Sequence, residues 1–404
     1  MKDVLFITPG IYPLNGGRQM ASFGYCEELS KIANLNVLSV LENGIDKDQA
    51  INFMKKNHLK TEFFFSKSHN FFRYMLYKPY NKLLGKFLYM TPLYKECINS
   101  IQKSINKKKP DIIIIDHFVM YFYFVYLKKR CPQIHYIYHS HNVEYMNTEK
   151  EHSDNIYTIN DRLKNIILKL KNKIRKSMEK RLISEADTTW CISKSDIYNL
   201  EKEFNLQNQS QKHLFAKPFV HFDLVKNRKD LVRYSKKLLI VGSMNWFPNV
   251  TGILWFIEYV LTELIAEDSA YKLFVVGKDP HPMLINEVQK YPDNIVLTGC
   301  VPSTNKYFDF CDISIVPVFE GTGAKIKVLE SIGRGIPTIC TSFAAKDYDT
   351  DTALVIADNK QEFIAQIKKI ESSVDYRQML YDKMKTYYSH YFELNPEIER
   401  LFIS

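Results

Sequence analysis

The sequence predicts an α/β protein made of two doubly wound, Rossmann-like domains. Short apolar runs alternate with helix-period segments along nearly all of the 404 residues. The runs are apolar at consecutive positions, as expected for parallel strands covered on both faces. They fall into two sets, separated by an irregular Lys/Phe/His-bearing segment near 212–236. A chain of this length can bury two separate cores.

The first set begins with Val4–Ile7, which ends at a Pro9-Gly10 turn. Asn15-Gly16-Gly17 then precedes a helix over Arg18–Lys31. Asn36–Val40, Ile112–Ile115, His135–Tyr138 and Thr188–Ile192 are the remaining strands of this set. Ile112 to Leu127 comes nearest to a membrane span, but Asp116 and His117 split it and it is shorter than the ~20 residues needed. It reads as a buried strand followed by an aromatic helix. The second set is Lys237–Val241, Lys272–Val276, Ile295–Leu297, Ile313–Val318, Thr338–Cys340 and Leu354–Ile356. A hinge near Lys217-Pro218 predicts domains over 1–216 and 217–385. A helical tail over 386–404 follows, its last helix opened by Pro396.

Hydrophobic residues make up 46% and charged residues 25%, the balance of a globular protein. The formal charge of +10 favours anionic partners such as nucleotides or an acidic membrane surface. Seven scattered cysteines with no C-x-x-C spacing indicate neither a zinc site nor a disulfide framework. They predict a reducing, cytoplasmic setting. Met1 to Gly10 reads as a first buried strand and not as a signal peptide, because its apolar run is short and ends in a turn.

Residues 162–181 carry nine Lys/Arg and one acid, Glu179, with Leu163, Ile166, Ile167, Leu170, Ile174 and Met178 at helical spacing. This is either a docked helix with a solvated basic face or a contact for anionic lipid or a phosphorylated carrier. Phe63 to Tyr94 is also basic and aromatic, which suits a membrane interface or lipid acceptor groove. It would equally suit single-stranded nucleic acid. No nucleic-acid-binding motif accompanies it, and no nucleic-acid partner is expected.

The densest functional signal is Glu320-Gly321-Thr322-Gly323-Ala324-Lys325-Ile326-Lys327-Val328-Leu329-Glu330. A glycine turn between a strand and a helix presents unpaired N–H groups at the positive end of the helix dipole. Two lysines add full charge, and Glu330 lies further along the helix. Amides and Lys suit phosphates, and a carboxylate suits ribose hydroxyls. An ordinary βα turn with a solvated Lys pair would carry the same pattern. Asp347-Tyr348-Asp349-Thr350-Asp351 alternates carboxylates as a Mg²⁺ or Mn²⁺ site does, but reads as a solvated loop. His139 and His141 also suggest a metal, yet the sequence offers no third ligand nearby.

Residues 321–338 resemble the C-terminal signature of glycosyltransferase family 4, in the branch running Gly-x-Gly-(small)-(basic)-x-Lys-x-Leu-Glu. The resemblance implies the GT-B fold, two Rossmann-like domains facing a central cleft, and a retaining, nucleotide-sugar-dependent transferase. Many members have two glutamates eight positions apart. Glu330 matches the second, while the first position holds Thr322. Further matches are Glu185 to Asp196, read as structural with a serine N-cap, and the Gly-x-Met-x-(aromatic)-x-Pro-Asn pattern of Gly242 to Asn249. The Arg and Lys that many members place there for the diphosphate are absent. The resemblance therefore moves phosphate binding to Lys325 and the amides of Gly323, Ala324 and Lys325, with Asn245 as a polar contact.

The remaining carry-over places Gly16 and Gly17 beside the donor phosphates and the acceptor. His141, in His141-Asn142-Val143-Glu144, would face the donor sugar. Gly299 and Val301, in Thr298 to Pro302, would hold the base through backbone contacts, and Glu330 the ribose. His141, Gly17, Lys325 and Glu330 are the expected catalytic group, with Thr322 in the donor site. No metal and no cofactor are expected, since GT-B chemistry in this family generally needs none.

The resulting expectation is a transferase that moves a hexosyl group from a nucleoside-diphosphate sugar, UDP favoured, to a glycan or lipid-linked acceptor. A bacterial surface-polysaccharide pathway fits the branch. So does a peripheral position on the inner face of the cytoplasmic membrane. A GT-B sugar-nucleotide epimerase and a non-catalytic GT-B partner protein are the alternatives. A dinucleotide-dependent oxidoreductase would need G-x-G-x-x-G after the first strand, which Gly16-Gly17-Arg18 does not supply.

Overall fold

The computed structural model describes residues 1–14, 16–41, 45–65, 91, 95–146, 159–222, 233–348 and 354–403. Asn15, most of the aromatic stretch up to Tyr94 and residues 349–353 lie outside the described residues. The chain divides into two compact units. The first is Met1–Phe219 with Thr322–Ala324 and Leu394–Ser404; the second is Val220–Gly321 with Lys325–Glu393.

The first unit is built on a seven-stranded parallel sheet in the order β3-β2-β1-β4-β5-β6-β7. Its strands are β1 (Asp3–Pro9), β2 (Asn34–Leu41), β3 (Thr61–Phe65), β4 (Ile112–Asp116), β5 (His135–Ser140), β6 (Thr188–Cys191) and β7 (His213–Phe215). Its helices are α1 (Gly17–Ile32), α2 (Lys47–Lys56), α3 (Lys95–Lys108), α4 (Tyr121–Arg130), α5 (Ile159–Glu185) and α6 (Lys194–Phe204). Ile112 to Ile115 are buried at every position, which explains their unbroken apolar run. Leu5, Ile7, Ile113, Ile115, Tyr136 and Tyr138 form the core with aromatic α4 and the end of α5.

Two strands of this sheet were not legible in the sequence. β3, Thr-Glu-Phe-Phe-Phe, is embedded in the aromatic run, where nothing marks a strand end. β7 has three residues, too few for a periodicity, and pairs with β6 at the sheet edge.

The second unit has six parallel strands in the order β10-β9-β8-β11-β12-β13. They are β8 (Lys237–Val241), β9 (Lys272–Val276), β10 (Ile295–Gly299), β11 (Ile313–Val316), β12 (Thr338–Cys340) and β13 (Val355–Ile356). Between and after them come α7 (Phe247–Phe256), a π-turn over Ile257–Leu261, α8 (Thr262–Glu267), α9 (Pro282–Val288), α10 (Asn305–Phe310), α11 (Ile326–Gly333), α12 (Ser342–Ala345), α13 (Lys360–Ser372) and α14 (Val374–His390). β11 stops at Val316, two residues short of the apolar run that predicted it.

The span Phe247–Glu267 is long and apolar enough to cross a membrane. Its Ile253, Phe256, Ile257, Val260, Leu261 and Leu264 are all buried in the core of the second unit, so it serves as a core helix. The last helix, α15 (Pro396–Ile403), belongs to the first unit, where Phe402 packs beside Trp190.

In both sheets the strand order reverses beside the first strand, at β1/β4 and at β8/β11. In such sheets ligands bind beyond the strand C-termini at this switch point. Gly16, Gly17, Asp116, Gly242 and the 321–325 turn all follow strands at these two points.

Candidate active site

The ends of β1 and β5 and the helix α1 converge on Asp116, which is fully buried at the end of β4. Its Oδ2 accepts from Thr8 Oγ1 at 2.6 Å and from Ser22 Oγ at 2.6 Å. Its Oδ1 lies 2.8 Å from His139 Nδ1 and 2.7 Å from His141 Nε2. Burial alone would raise this carboxyl's pKa. The charge and hydrogen bonds of His141 and His139 outweigh burial and hold it well below the usual carboxylate range.

His139 is pressed against the rings of Tyr25 and Trp190. Burial, then the neighbouring His141, keeps its pKa low despite Asp116. His117 follows Asp116 with φ 72° and ψ 146°, a region rarely entered by residues other than glycine. Its Nδ1 accepts from Val119 N at 3.3 Å, and its Nε2 lies 3.3 Å from Glu144 Oε1. Burial, then Arg18 and His141, push its pKa well down. Asn142 Nδ2 donates to Glu144 Oε1 at 3.1 Å.

The sequence reading found no third ligand-type group near His139 and His141. The fold corrects this, because a strand 23 residues away brings Asp116 to them. The trio has the residue types of a cation site. However, both Asp116 oxygens already accept two hydrogen bonds each, and the imidazole nitrogens stand at hydrogen-bond distances from Oδ1.

Gly16 is the N-cap residue of α1 and carries no side-chain cap, so Gly17 opens the helix. Ser193 caps α6 by accepting from Asp196 N at 3.2 Å, as a structural serine should. The same unit contains Thr322, Gly323 and Ala324. Gly323 has φ 73°, and a Cβ there would sit 2.6 Å from the His141 carbonyl oxygen, so only glycine fits. Its N–H donates to Asp196 Oδ2 at 2.8 Å. One amide expected to meet a phosphate is thus already bonded to a carboxylate.

The second unit gathers cations. Lys325 is buried, and its Nζ lies 5.7 Å from the centre of the Trp246 ring; Lys327 Nζ lies 5.4 Å from it. Lys327 also donates to Asn249 Oδ1, and Asn249 Nδ2 donates to Ser243 O at 2.8 Å. A Cβ on Gly242 would stand 2.7 Å from Asn249 Nδ2 and 3.3 Å from Lys327 Nζ, so glycine lets this cluster close on the strand end. Burial, then the charge of Lys325, lowers the Lys327 pKa to about 7. Asn245 Oδ1 accepts from Ser243 Oγ at 2.8 Å.

Glu330, on α11, is buried and accepts from Thr304 Oγ1 at 2.7 Å. Burial raises its pKa, against the opposing pull of Thr304 and Arg334. Gly299 has φ 67° with open space where a Cβ would be, and Val301 packs on the cluster of Leu239 and Phe308.

Gly242, Asn245, Gly299, Val301, Lys325 and Glu330 fall in the second unit, and Gly16, Gly17, His141, Thr322, Gly323 and Ala324 in the first. The sequence-derived site lacked Asp116, Arg18, Asn249 and Lys327. Lys327 and Asn249 stood inside quoted motifs, and Asp116 ended a predicted strand, a position that itself signals a ligand crevice. A cavity of about 430 Å³ beside β2 and α2, lined by Ile51, Met54 and His58, contains none of these residues.

The family described as Glycosyl transferases group 1 matches residues 235–373. No curated protein matches the sequence. Among solved structures, TarM of S. aureus, in a complex with Fondaparinux, alpha-GlcNAc-glycerol and UDP, is similar with TM-score 0.68 and 11% identity, over 100% of both chains. HepE of Anabaena, in complex with UDP and glucose, has TM-score 0.64 and 10% identity over 100% of this chain and 97% of that one. A glycosyltransferase from Rickettsia africae has TM-score 0.62 and 13% identity over 100% and 99%. Residues 235–373 thus match group 1 glycosyl transferases, and the chain as a whole shares the two-sheet α/β fold of these glycosyltransferase structures.

Proposed function

We propose that the protein moves a hexosyl group from a nucleoside-diphosphate sugar, with UDP as the nucleotide, to a glycan or lipid-linked acceptor. The observation that carries this is the Lys325–Lys327 pair at Trp246 and Asn249. Two ammonium groups held together in a partly dry place repel one another, and a diphosphate would relieve that repulsion. The UDP and glucose bound to HepE and the UDP bound to TarM support a UDP-sugar donor.

Cleaving the sugar–phosphate bond develops negative charge on the leaving diphosphate. Lys325 and Lys327 would stabilise it in place, together with the amides of Ala324 and Lys325. Glu330 takes the ribose hydroxyls, the Gly299–Val301 backbone the base, and His141 with Gly16 and Gly17 the sugar and acceptor. Residues 1–216 are assigned to the acceptor and 217–385 to the donor; of the tail over 386–404, residues 394–404 belong to the first unit. Retention of anomeric configuration, a cytoplasmic setting and a surface-polysaccharide pathway rest on the family-4 resemblance.

A peripheral contact with anionic membrane is supported by α5, where Ile166, Ile167 and Leu170 are exposed beside Lys169 and Lys173.

The test is thermal stabilisation by UDP, GDP, ADP, CMP, their common sugars and NAD(P). Ligand at a hundredfold excess over its Kd adds about 2.7 kcal/mol to a protein that binds it only when folded. A shift with UDP or a UDP-sugar is the expected result. A shift with NAD(P) alone, or none, overturns the reading.

A further inference from the structure

We propose that Asp116 is a positioning residue for the transfer reaction: by accepting Nδ1–H of His139 and Nε2–H of His141 on one carboxylate oxygen, it fixes the two rings in opposite tautomers and leaves Nδ1 of His141 as an open acceptor for a substrate hydroxyl. This rests on the transferase reading and adds to it a residue that no motif in the sequence marks.

An ionised carboxylate only accepts. Asp116 faces four groups, Thr8 Oγ1, Ser22 Oγ, His139 Nδ1 and His141 Nε2, all within 2.8 Å. Each must therefore donate. In His139 the proton sits on Nδ1 and the lone pair on Nε2. In the neutral form of His141 the order is reversed, with the proton on Nε2 and the lone pair on Nδ1. Both remaining nitrogens, His139 Nε2 and His141 Nδ1, are buried without a hydrogen-bond partner.

The two differ in their surroundings. The His139 ring is packed against Tyr25, with ring centres 4.6 Å apart, and Trp190, at 6.0 Å. His141 lies past the end of β5, in the turn whose residues 144 and 145 are tied down by Glu179. A buried acceptor left unpaired is unfavourable, and a bound ligand's hydroxyl can satisfy it. The neighbouring His117 cannot substitute, since Nδ1 serves the Val119 amide and Nε2 faces Glu144. Asp116 acts through His141 and is not itself placed against substrate.

Two measurements decide it. The first is long-range ¹H–¹⁵N correlation on ¹⁵N-histidine-labelled full-length protein without ligand. The expected pattern is Nδ1–H on His139 and Nε2–H on His141. A His141 ring protonated at Nδ1 overturns the proposal. So does displacement of both rings by one equivalent of Zn²⁺, which would make the trio a cation site.

The second is kinetic. Asp116→Asn keeps the shape but weakens a charge-assisted contact to a neutral one. It should lower kcat by roughly tenfold to a hundredfold, the range seen when the partner of a functional imidazole is lost. The KM for the donor should change much less than kcat, since the diphosphate, ribose and base are assigned to other groups. Added to His141→Ala, the Asn variant should cost nothing further; an undiminished loss in that background marks Asp116 as merely structural and overturns the proposal. If the variant does not fold, the tautomer spectrum of the unaltered protein still decides. A protein with the expected tautomers that turns over no nucleoside-diphosphate sugar would sink the transferase reading while upholding the assignment of Asp116 to the two imidazoles.

Discussion

Lys327 shows how one side chain reports on the ligand. Burial and Lys325 hold its pKa near 7, so at pH 8 most of the ligand-free protein has it neutral. A bound diphosphate favours the charged form and raises that pKa. UDP binding at pH 8 should therefore take up close to one proton, and at pH 6, where Lys327 is already charged, almost none. Calorimetry in buffers of different ionisation enthalpy measures this. Lys327→Met should abolish the uptake and weaken UDP by roughly 10–100-fold, the worth of a charge-assisted hydrogen bond. Unchanged uptake in that variant would show the proton goes elsewhere. Glu330→Ala, in the same assay, should weaken UDP without altering proton uptake. The Gly-x-Gly-x-Lys-x-Lys-x-Leu-Glu pattern made these residues visible in the sequence. It did not distinguish Lys327 from Lys325, because that difference comes from Asn249, Gly242 and burial.

Among the elements, α5 does two jobs. Its C-terminal part carries Glu179, fully buried, which accepts from the amides of Glu144 at 3.0 Å and Tyr145 at 3.2 Å. It thereby fixes the turn after His141-Asn142. Burial, then the nearby Glu144, raises the Glu179 pKa from 4.5 to about 8 against the pull of those two amides. The folded state thus holds a proton that the unfolded state releases above about pH 4.5. Stability from this group is fully present below that pH and is lost as pH rises through about 8. The difference corresponds to on the order of 5 kcal/mol across the window. Glu179→Gln should flatten the pH dependence of the urea midpoint between pH 5 and 8. An unchanged slope would mean the two amides keep Glu179 ionised. Glu179 stands out in the sequence as the one acid of the basic stretch 162–181, but its inward position is set by the fold.

For the whole molecule, charge of +10 is the property most open to experiment. The basic helix α5 exposes Ile166, Ile167 and Leu170. Binding to vesicles containing anionic lipid should fall steeply with salt, since each Lys or Arg near such a surface contributes about 1 kcal/mol and is screened within a Debye length. Ile166→Ser with Leu170→Ser should weaken it further at fixed salt, measured by co-sedimentation. Equal binding to neutral vesicles, or no effect of the double variant, would remove α5 as the contact.

Period and composition in the chain were enough for eleven of the strand positions, the two-sheet α/β class and the glycine turns after β1, β8 and β11. These are local properties. A strand covered on both faces must be apolar throughout, and a turn that approaches a ligand needs glycine. The Asp116–His139–His141 cluster, the pairing of Lys327 with Asn249 and the capture of the Gly323 amide by Asp196 join residues from 23 to 127 positions apart. Their separations carry no periodic signal: a parallel sheet brings the first two sets together by crossovers of arbitrary length, and the third joins the turn after β11 to the first turn of α6. Which acids, imidazoles and ammoniums meet, and so which carry shifted protons, was decided only when the sheets closed.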